Sequence, residues 1–185
     1  MVSQIKVNEI IKQSGSTITI GESGDTVSIP SGCTIANSGT ATGFGESNTP
    51  SFRANPASGT TVANDTATKI AFTTEVYDTD SAYDASNSKF VVPSGKAGRY
   101  FFVATLEYNI TSATTSARVQ IRKNGSIALA KAGYNSYYDN NLVCGVLNLV
   151  AGDYIEVYGY QNSGGSKTTQ TGTASTYFAG FKVDG

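Results

Sequence analysis

The residues from 90 to 108 constrain the fold of this chain more than any other stretch. Along RYFFVATLEY, residues 99–108, alternate side chains share one face of an extended strand. One face then carries Tyr100, Phe102, Ala104, Leu106 and Tyr108, and the other carries Phe101, Val103 and Thr105. Because both faces are apolar over most of this length, we predict a central strand with cover on each side. Pro93 cannot donate a ladder hydrogen bond, so we expect it to end the preceding strand.

The composition favours strands joined by tight turns over helices, and the predicted class is all-β. The chain has 185 residues, enough for one ordinary domain and a modest extension. Its net charge is −1 and 15% of its residues are charged, without a basic stripe, so we expect no nucleic-acid partner. No apolar run approaches the length of about 20 residues that a bilayer requires, so we expect no membrane insertion. The N-terminus lacks a secretory apolar core, and we expect synthesis in a cytoplasm.

Histidine is absent and cysteine occurs twice. The absence of histidine removes the commonest general base and the commonest transition-metal ligand, so we expect neither an enzyme nor a cofactor. Glu75, Glu107 and Glu156 leave a carboxylate pair for glycosidic cleavage as a formal alternative. Cys33 and Cys144 lie in apolar, strand-like settings; we expect buried free thiols, with a disulfide as the alternative.

Residues 1–50 differ from the remainder and form the first predicted domain, a β-rich stem. Short β-branched runs recur every seven to nine residues, with Gly, Asp, Ser or Pro turns between them, at Thr17–Ile20, Thr26–Ile29 and Cys33–Ile35. Units this small cannot bury their apolar side chains alone, so we expect stacking into a solenoid or intertwining with neighbouring chains. A β-meander packed on the main domain is the alternative. The last part of this first domain includes a linker at residues 37–45.

Residues 51–185 form the second predicted domain, a sandwich of the jelly-roll type. Asn124-Gly125 predicts a hairpin, because both central positions of that turn require positive φ. Leu142–Val150 is apolar on both faces and should be central or lie at a subunit contact. The predicted strands are Ser51–Asn55, Thr68–Thr73, Tyr83–Val92, Arg99–Asn109, Ser116–Lys123, Ser126–Lys131, Asn141–Val150, Tyr154–Gln161 and Ser175–Val183.

Several pieces of this second domain, in their order, resemble the jelly-roll head of the complement C1q/tumour-necrosis-factor family. They are Phe52-Arg53-Ala54, Lys69–Phe72, Phe90 to Phe102, Asn124-Gly125, Gly152–Val157 and Phe178–Val183. The resemblance implies a homotrimer. Tyr100, Phe102, Ala104 and Leu106 fit the family's intrasubunit core, which leaves Phe101 and Val103 as candidates for the trimer interface.

The first 45 residues, IKVNEI at the start and ANSGTATGFG at the exit, resemble the stems of tail-fibre-like bacteriophage proteins. That resemblance implies a trimeric tail fibre or knob on the virion surface, attached to other virion proteins through Met1–Lys12 and contacting a host receptor or glycan. The alternatives are a capsid decoration protein, a carbohydrate-binding module, and a polysaccharide-degrading spike.

Two loops carry candidate binding residues. Asp78, Asp80 and Asp84 offer carboxylates to Ca²⁺, but the loop lacks the glycine and distal glutamate of a calcium loop, so a solvated acidic loop is the competing interpretation. Residues 134–141, YNSYYDNN, combine flat aromatic faces with hydroxyl-binding partners. We therefore name Tyr134, Tyr137, Tyr138 and Asp139 as ligand-binding candidates, with packing at the trimer contact or over the sandwich as the alternative.

Overall fold

A computed structural model describes residues 10–11, 13–36, 38–39, 48–109, 116–133 and 140–183. The chain divides into two compact units, residues 1–42 and residues 43–185. The described residues contain no α-helix, and so no helix that could cross a bilayer.

The second unit contains thirteen strands within its described residues. They are β1 (Ser51–Asn55), β2 (Thr61–Val62), β3 (Thr68–Lys69), β4 (Thr74–Asp78), β5 (Tyr83–Asp84), β6 (Lys89–Val91), β7 (Gly98–Glu107), β8 (Ala117–Lys123), β9 (Ser126–Gly133), β10 (Asn140–Leu149), β11 (Tyr154–Gln161), β12 (Lys167–Thr168) and β13 (Tyr177–Lys182).

The strands form two main antiparallel sheets. The five-stranded sheet has the order β10-β7-β13-β1-β4, and the six-stranded sheet has the order β5-β6-β11-β8-β9 with β3 paired to β11. A further two-stranded ribbon joins β12 to β2. Apart from the consecutive pairs β5–β6 and β8–β9, neighbours in each sheet are not consecutive in sequence, which is typical of a jelly roll, so the predicted all-β sandwich is confirmed.

The core lies between the two sheets and is dominated by aromatic rings. Tyr100, Phe102, Ala104 and Leu106 of β7 are fully buried, as the alternation of this strand predicts. Phe52 lies at the centre, with its ring centroid 5.1 Å from that of Phe90 and 4.8 Å from that of Phe178. Such offset and edge contacts add to the free energy of burial, so this cluster fixes how the sheets face one another.

Tight turns follow the predicted chemistry. Asn124 and Gly125 join β8 to β9 with φ of 50° and 80°, as the hairpin prediction requires. Pro93 lies beyond the end of β6, and β11 has the predicted bounds.

Three strand assignments are wrong. Tyr83–Val92 is not one strand, because a turn at residues 85–88 divides it into β5 and β6. Thr68–Thr73 is a strand only at Thr68–Lys69, and residues 74–78, where we expected no strand, form β4 instead. Every residue of β4 up to Tyr77 is exposed, so this edge strand lacks the alternation of buried side chains that marks a strand in a sequence. β12 is a polar pair of residues and gives no such signal either.

The first unit has the predicted turns but not the predicted strands. Gly21 and Gly24 adopt positive φ, and the Asp25 carboxylate accepts a hydrogen bond from the Glu22 amide at 2.8 Å. The described residues 13–36 contain no strand, because the runs between the turns have no backbone partner within this single chain. The apolar side chains of these runs are exposed: Ile18, Ile20, Val27, Ile29 and Ile35.

Candidate subunit interface

The face of the five-stranded sheet that points away from the core is apolar. Phe101 and Val103 lie on this side of β7, both half-buried. Phe101 is paired across the sheet with Val146 of β10 and with Phe181 of β13. The ring centroids of Phe101 and Phe181 are 5.5 Å apart. These side chains form one continuous row across three strands.

A second row runs parallel to the first, two residues along each strand. Val103 is paired with Cys144 on one side and with Ala179 on the other. Leu142, two residues before Cys144, belongs to the same side of β10, where Cys144 and Val146 are exposed. We call the patch formed by Phe101, Val103, Leu142, Cys144, Val146, Ala179 and Phe181 the outer apolar face.

The outer apolar face is uncharged over its centre and exposed to solvent in the single chain. Val146 is 53% exposed, and Leu142 and Phe181 are each 38% exposed. Contiguous exposed apolar surface is typical of sites that contact another protein, a membrane or a ligand. The geometry therefore suits the predicted role of Phe101 and Val103 as contact residues.

Arginine and tyrosine flank this face at its far end. The Arg53 guanidinium lies 4.4 Å from the centroid of the Tyr177 ring, and its Nη2 donates to the Thr173 carbonyl at 2.6 Å. A stacked, hydrogen-bonded arginine is typical of the rim of an interface.

Sequence patterns identified part of this face. The alternation of β7 puts Phe101 and Val103 on this face. The two-sided apolarity of Leu142–Val150 predicts either a central strand or a subunit contact, and β10 lies at the edge of its sheet. Phe181 is not among the interface candidates that the sequence suggests. The signal for it is the alternation of Tyr177, Ala179 and Phe181, but only the pairing of β13 beside β7 places that row next to Phe101.

Cys144 belongs to this face, and the expectation that both cysteines are buried is wrong. Cys33 and Cys144 are free and exposed. Cys144 alternates with the buried Val143 and therefore points to the uncovered side of β10. Leu142 and Val146, two residues away on either side, lie with it on the outer apolar face rather than in the core.

The three aspartates proposed for Ca²⁺ have separate partners. Asp78 accepts hydrogen bonds from the amides of Ala82 and Tyr83, and Asp80 lies 3.5 Å from the Lys96 ammonium. The described residues contain no cluster of three acidic, cysteine or histidine side chains that could hold a metal ion.

Asp84 completes its own turn. Its carboxylate accepts hydrogen bonds from the Asn87 side chain and backbone, at 2.7 and 3.0 Å, and these bonds lower the pKa of Asp84. Its oxygens therefore stabilise the turn between β5 and β6.

The three glutamates considered for glycosidic cleavage do not form a pair. Glu156 lies on the six-stranded sheet, in an ion pair of 2.6 Å with Lys69. Glu107 on β7 and Glu75 on β4 are separated by β13 and β1, a spacing of about 14 Å between strand axes. Glycosidase carboxylates lie about 5–9.5 Å apart, so this arrangement does not match.

Tyr134, Tyr137, Tyr138 and Asp139 lie outside the described residues, and their role stays a prediction. The linker at residues 37–45 is described only at residues 38–39.

The family profile of the C1q domain matches residues 51–183, which is most of the chain. This chain belongs to the C1q domain family. Two solved structures show the same fold. The globular domain of zebrafish complement 1qA is 16% identical, with a TM-score of 0.51 over 72% of this chain and 97% of that one. Murine APRIL at pH 5.0 is also 16% identical, with a TM-score of 0.58 over 72% of this chain and 98% of that one.

No curated protein sequence matches the chain. The family assignment confirms the predicted head. The bacteriophage context and the homotrimer stay predictions from the resemblance.

Proposed function

We propose that this chain is a non-enzymatic display subunit of a bacteriophage particle, a homotrimer that presents its C1q heads on the virion surface. The observation that carries the proposal is the outer apolar face. Three copies packed around a threefold axis would cover Phe101, Val103 and their neighbours on every head at once. Covering such side chains stabilises an assembly by about 25 cal/mol per Å² of apolar surface removed from water.

The first unit supports the same assembly. Ile18 and Ile20 alternate, as do Val27 and Ile29, so each pair falls on one side of an extended run. Exposed β-branched side chains at alternate positions are suited to pairing with another backbone. Intertwined runs from three chains would supply the ladder partners that one chain lacks.

Display in threes gives the proposed function its mechanism. Each head contributes a weak contact, and linkage of three heads raises the overall avidity without a single tight site. Host contact through Tyr134–Asp139 is the proposed receptor or glycan interaction. Substituting Tyr137 and Tyr138 with Ala should abolish adsorption to host cells while leaving the oligomer intact, and retained adsorption would contradict this role.

A fibre or knob on the tail and a decoration protein on the capsid remain the two positions for this subunit. In either case Met1–Lys12 would attach the subunit, to the tail for a fibre and to lattice points of the capsid for a decoration protein. Labelled antibody against the head, viewed on intact particles, decides between them. Label at the tail supports the fibre, an even coat supports decoration, and particles without label contradict the virion proposal.

A further inference from the structure

The outward face of the six-stranded sheet carries different side chains from the outer apolar face. On β8 and β11 it presents stacked arginine and tyrosine side chains. The Arg122 guanidinium lies 3.9 Å from the centroid of the Tyr158 ring, and the Arg118 guanidinium lies 4.9 Å from that of Tyr160. We call these four residues the arginine–tyrosine band.

Both guanidinium groups are held in place by further hydrogen bonds. Arg122 donates from Nε and Nη2 to the side-chain oxygen of the buried Gln120, at 3.2 and 2.9 Å. Arg118 donates from Nε to the hydroxyl of the buried Ser116 at 3.0 Å. Because stacking and hydrogen bonding fix both side chains, less conformational entropy is lost when a ligand binds them.

Within the described residues neither arginine forms an ion pair, although Glu156, the cross-strand partner of Arg122, lies beside it and is paired with Lys69. Among the described residues, the ion pairs join Lys69 to Glu156, Lys96 to Asp80, and Lys123 to Asp153, and none includes Arg118 or Arg122. Asp65 accepts a hydrogen bond from the Tyr160 hydroxyl at 2.9 Å. The band therefore presents two fixed positive charges, about 13 Å apart along β8.

A shallow depression of about 290 Å³ continues the band on its other side. It is lined by Lys69, which is the cross-strand partner of Tyr158, and by Ile70, Ala71, Ser86, Asn87 and Ser88. The polar members offer hydroxyl and amide groups, and the Lys69 ammonium is paired with Glu156. Their chemistry suits a ligand that is rich in hydroxyl groups.

We propose that the arginine–tyrosine band and this depression bind an acidic polysaccharide that carries carboxylate groups. The guanidinium fork matches the planar carboxylate and can donate two parallel hydrogen bonds to it. Unlike the outer apolar face, this band places fixed charges beside hydroxyl and amide groups, so we commit to a hydrophilic acidic polymer as the ligand, and polyglutamate in the test below represents an acidic polypeptide. The inference rests on the proposed display function, because it names the class of host surface that the heads contact.

Binding of the full-length protein to immobilised polygalacturonate tests the proposal, with dextran sulfate, polyglutamate and neutral dextran as parallel surfaces. Wild-type protein should bind polygalacturonate best, and salt should weaken the binding. Replacing both arginines in R118Q/R122Q should weaken it by at least about tenfold, because charge-assisted hydrogen bonds are lost. The matched control K96Q/K167Q removes the same charge elsewhere on the head and should bind as wild type.

Four results would overturn the inference: no binding of polygalacturonate by wild type, equal weakening in both double variants, tighter binding of dextran sulfate, or equal binding of polyglutamate. Light scattering on the same samples separates this inference from the display function. An intact trimer that does not bind refutes only the polysaccharide site. A wild-type monomer that still binds through the two arginines refutes only the trimer.

Discussion

Asp153 in the turn between β10 and β11 gives a stability prediction that the structure makes quantitative. Its carboxylate lies 2.8 Å from the Lys123 ammonium and accepts hydrogen bonds from the Val150 amide at 2.9 Å and from the Asn124 side chain at 2.7 Å. These partners, Lys123 first, lower the pKa of Asp153 from 3.8 to about 2. Asp153→Asn keeps the shape of the side chain, removes its charge and presents an amide donor to groups that are donors themselves.

The pKa sets the size and the pH dependence of the effect. Each pKa unit is worth about 1.4 kcal/mol, so the full change corresponds to about 2.5 kcal/mol. Lys123 is one-third exposed, and solvent screening reduces this, so we expect Asp153→Asn to lower the free energy of unfolding by about 1–2 kcal/mol at pH 7. Because the folded-state pKa lies below the unfolded-state value, the contribution is complete above about pH 4 and is lost as pH falls toward 2.

Urea denaturation followed by tyrosine fluorescence at pH 7, 4 and 2.5 measures this difference. Both proteins must be compared at one concentration, because the unfolding of an oligomer depends on concentration. Glu75→Gln on the exposed strand β4 makes the same charge change without a comparable network and should alter stability little. If Asp153→Asn costs as much at pH 2.5 as at pH 7, or nothing at pH 7, the assigned role of the carboxylate is wrong.

Three further predictions test the packing, the outer apolar face and the acidic loop. Gly180→Ala should destabilise the head by about 1–3 kcal/mol in thermal unfolding, because its Cβ would come within 2.5 Å of the Phe102 ring, whereas Gly165→Ala, with nothing within 4 Å, should be neutral. In a Cys33→Ser background, Cys144 should react slowly with a thiol reagent in the assembled protein and quickly once the outer apolar face is uncovered; equal rates would contradict a covered face. Calcium should leave the melting temperature unchanged, because the three loop aspartates already have protein partners, and a rise would restore the metal hypothesis.

Sequence patterns predicted those parts of the fold whose signals are local. The Asn124-Gly125 sequence by itself predicts the conformation of its turn. The bounds of β7 and β11 follow from alternation and turn residues. The core face of β7 followed from the same alternation, because a side-chain period of two fixes which residues are buried together.

Features that depend on pairing between distant strands were not predictable in this way. β4 is an exposed edge strand with no buried side chain to mark it. The sequence alone suggests that Cys144 is a core residue. The position of β10 at the edge of the five-stranded sheet is needed to see that it is not. The stacks of Arg118 on Tyr160 and Arg122 on Tyr158 require β8 to lie beside β11. No local sequence pattern predicts that pairing.

The expected strands of the first unit also depend on pairing that a local pattern does not predict. A strand requires a second backbone, and the runs near Ile18, Val27 and Ile35 have none in the single chain. Their β-branched composition is a preference for pairing and not a structure in itself. A measurement of the oligomeric state tests whether other copies of this chain supply these partners.

The mass of the assembled protein in solution tests the central claim most directly. Size exclusion with light scattering should give wild type three times the chain mass of 19.3 kDa. Phe101→Lys should give the mass of one chain with its β circular dichroism retained, because a lysine charge would be buried at the contact while the core face of β7 is untouched. A single-chain mass for wild type, or an unchanged trimer for Phe101→Lys, would contradict the assignment of the outer apolar face as the subunit interface.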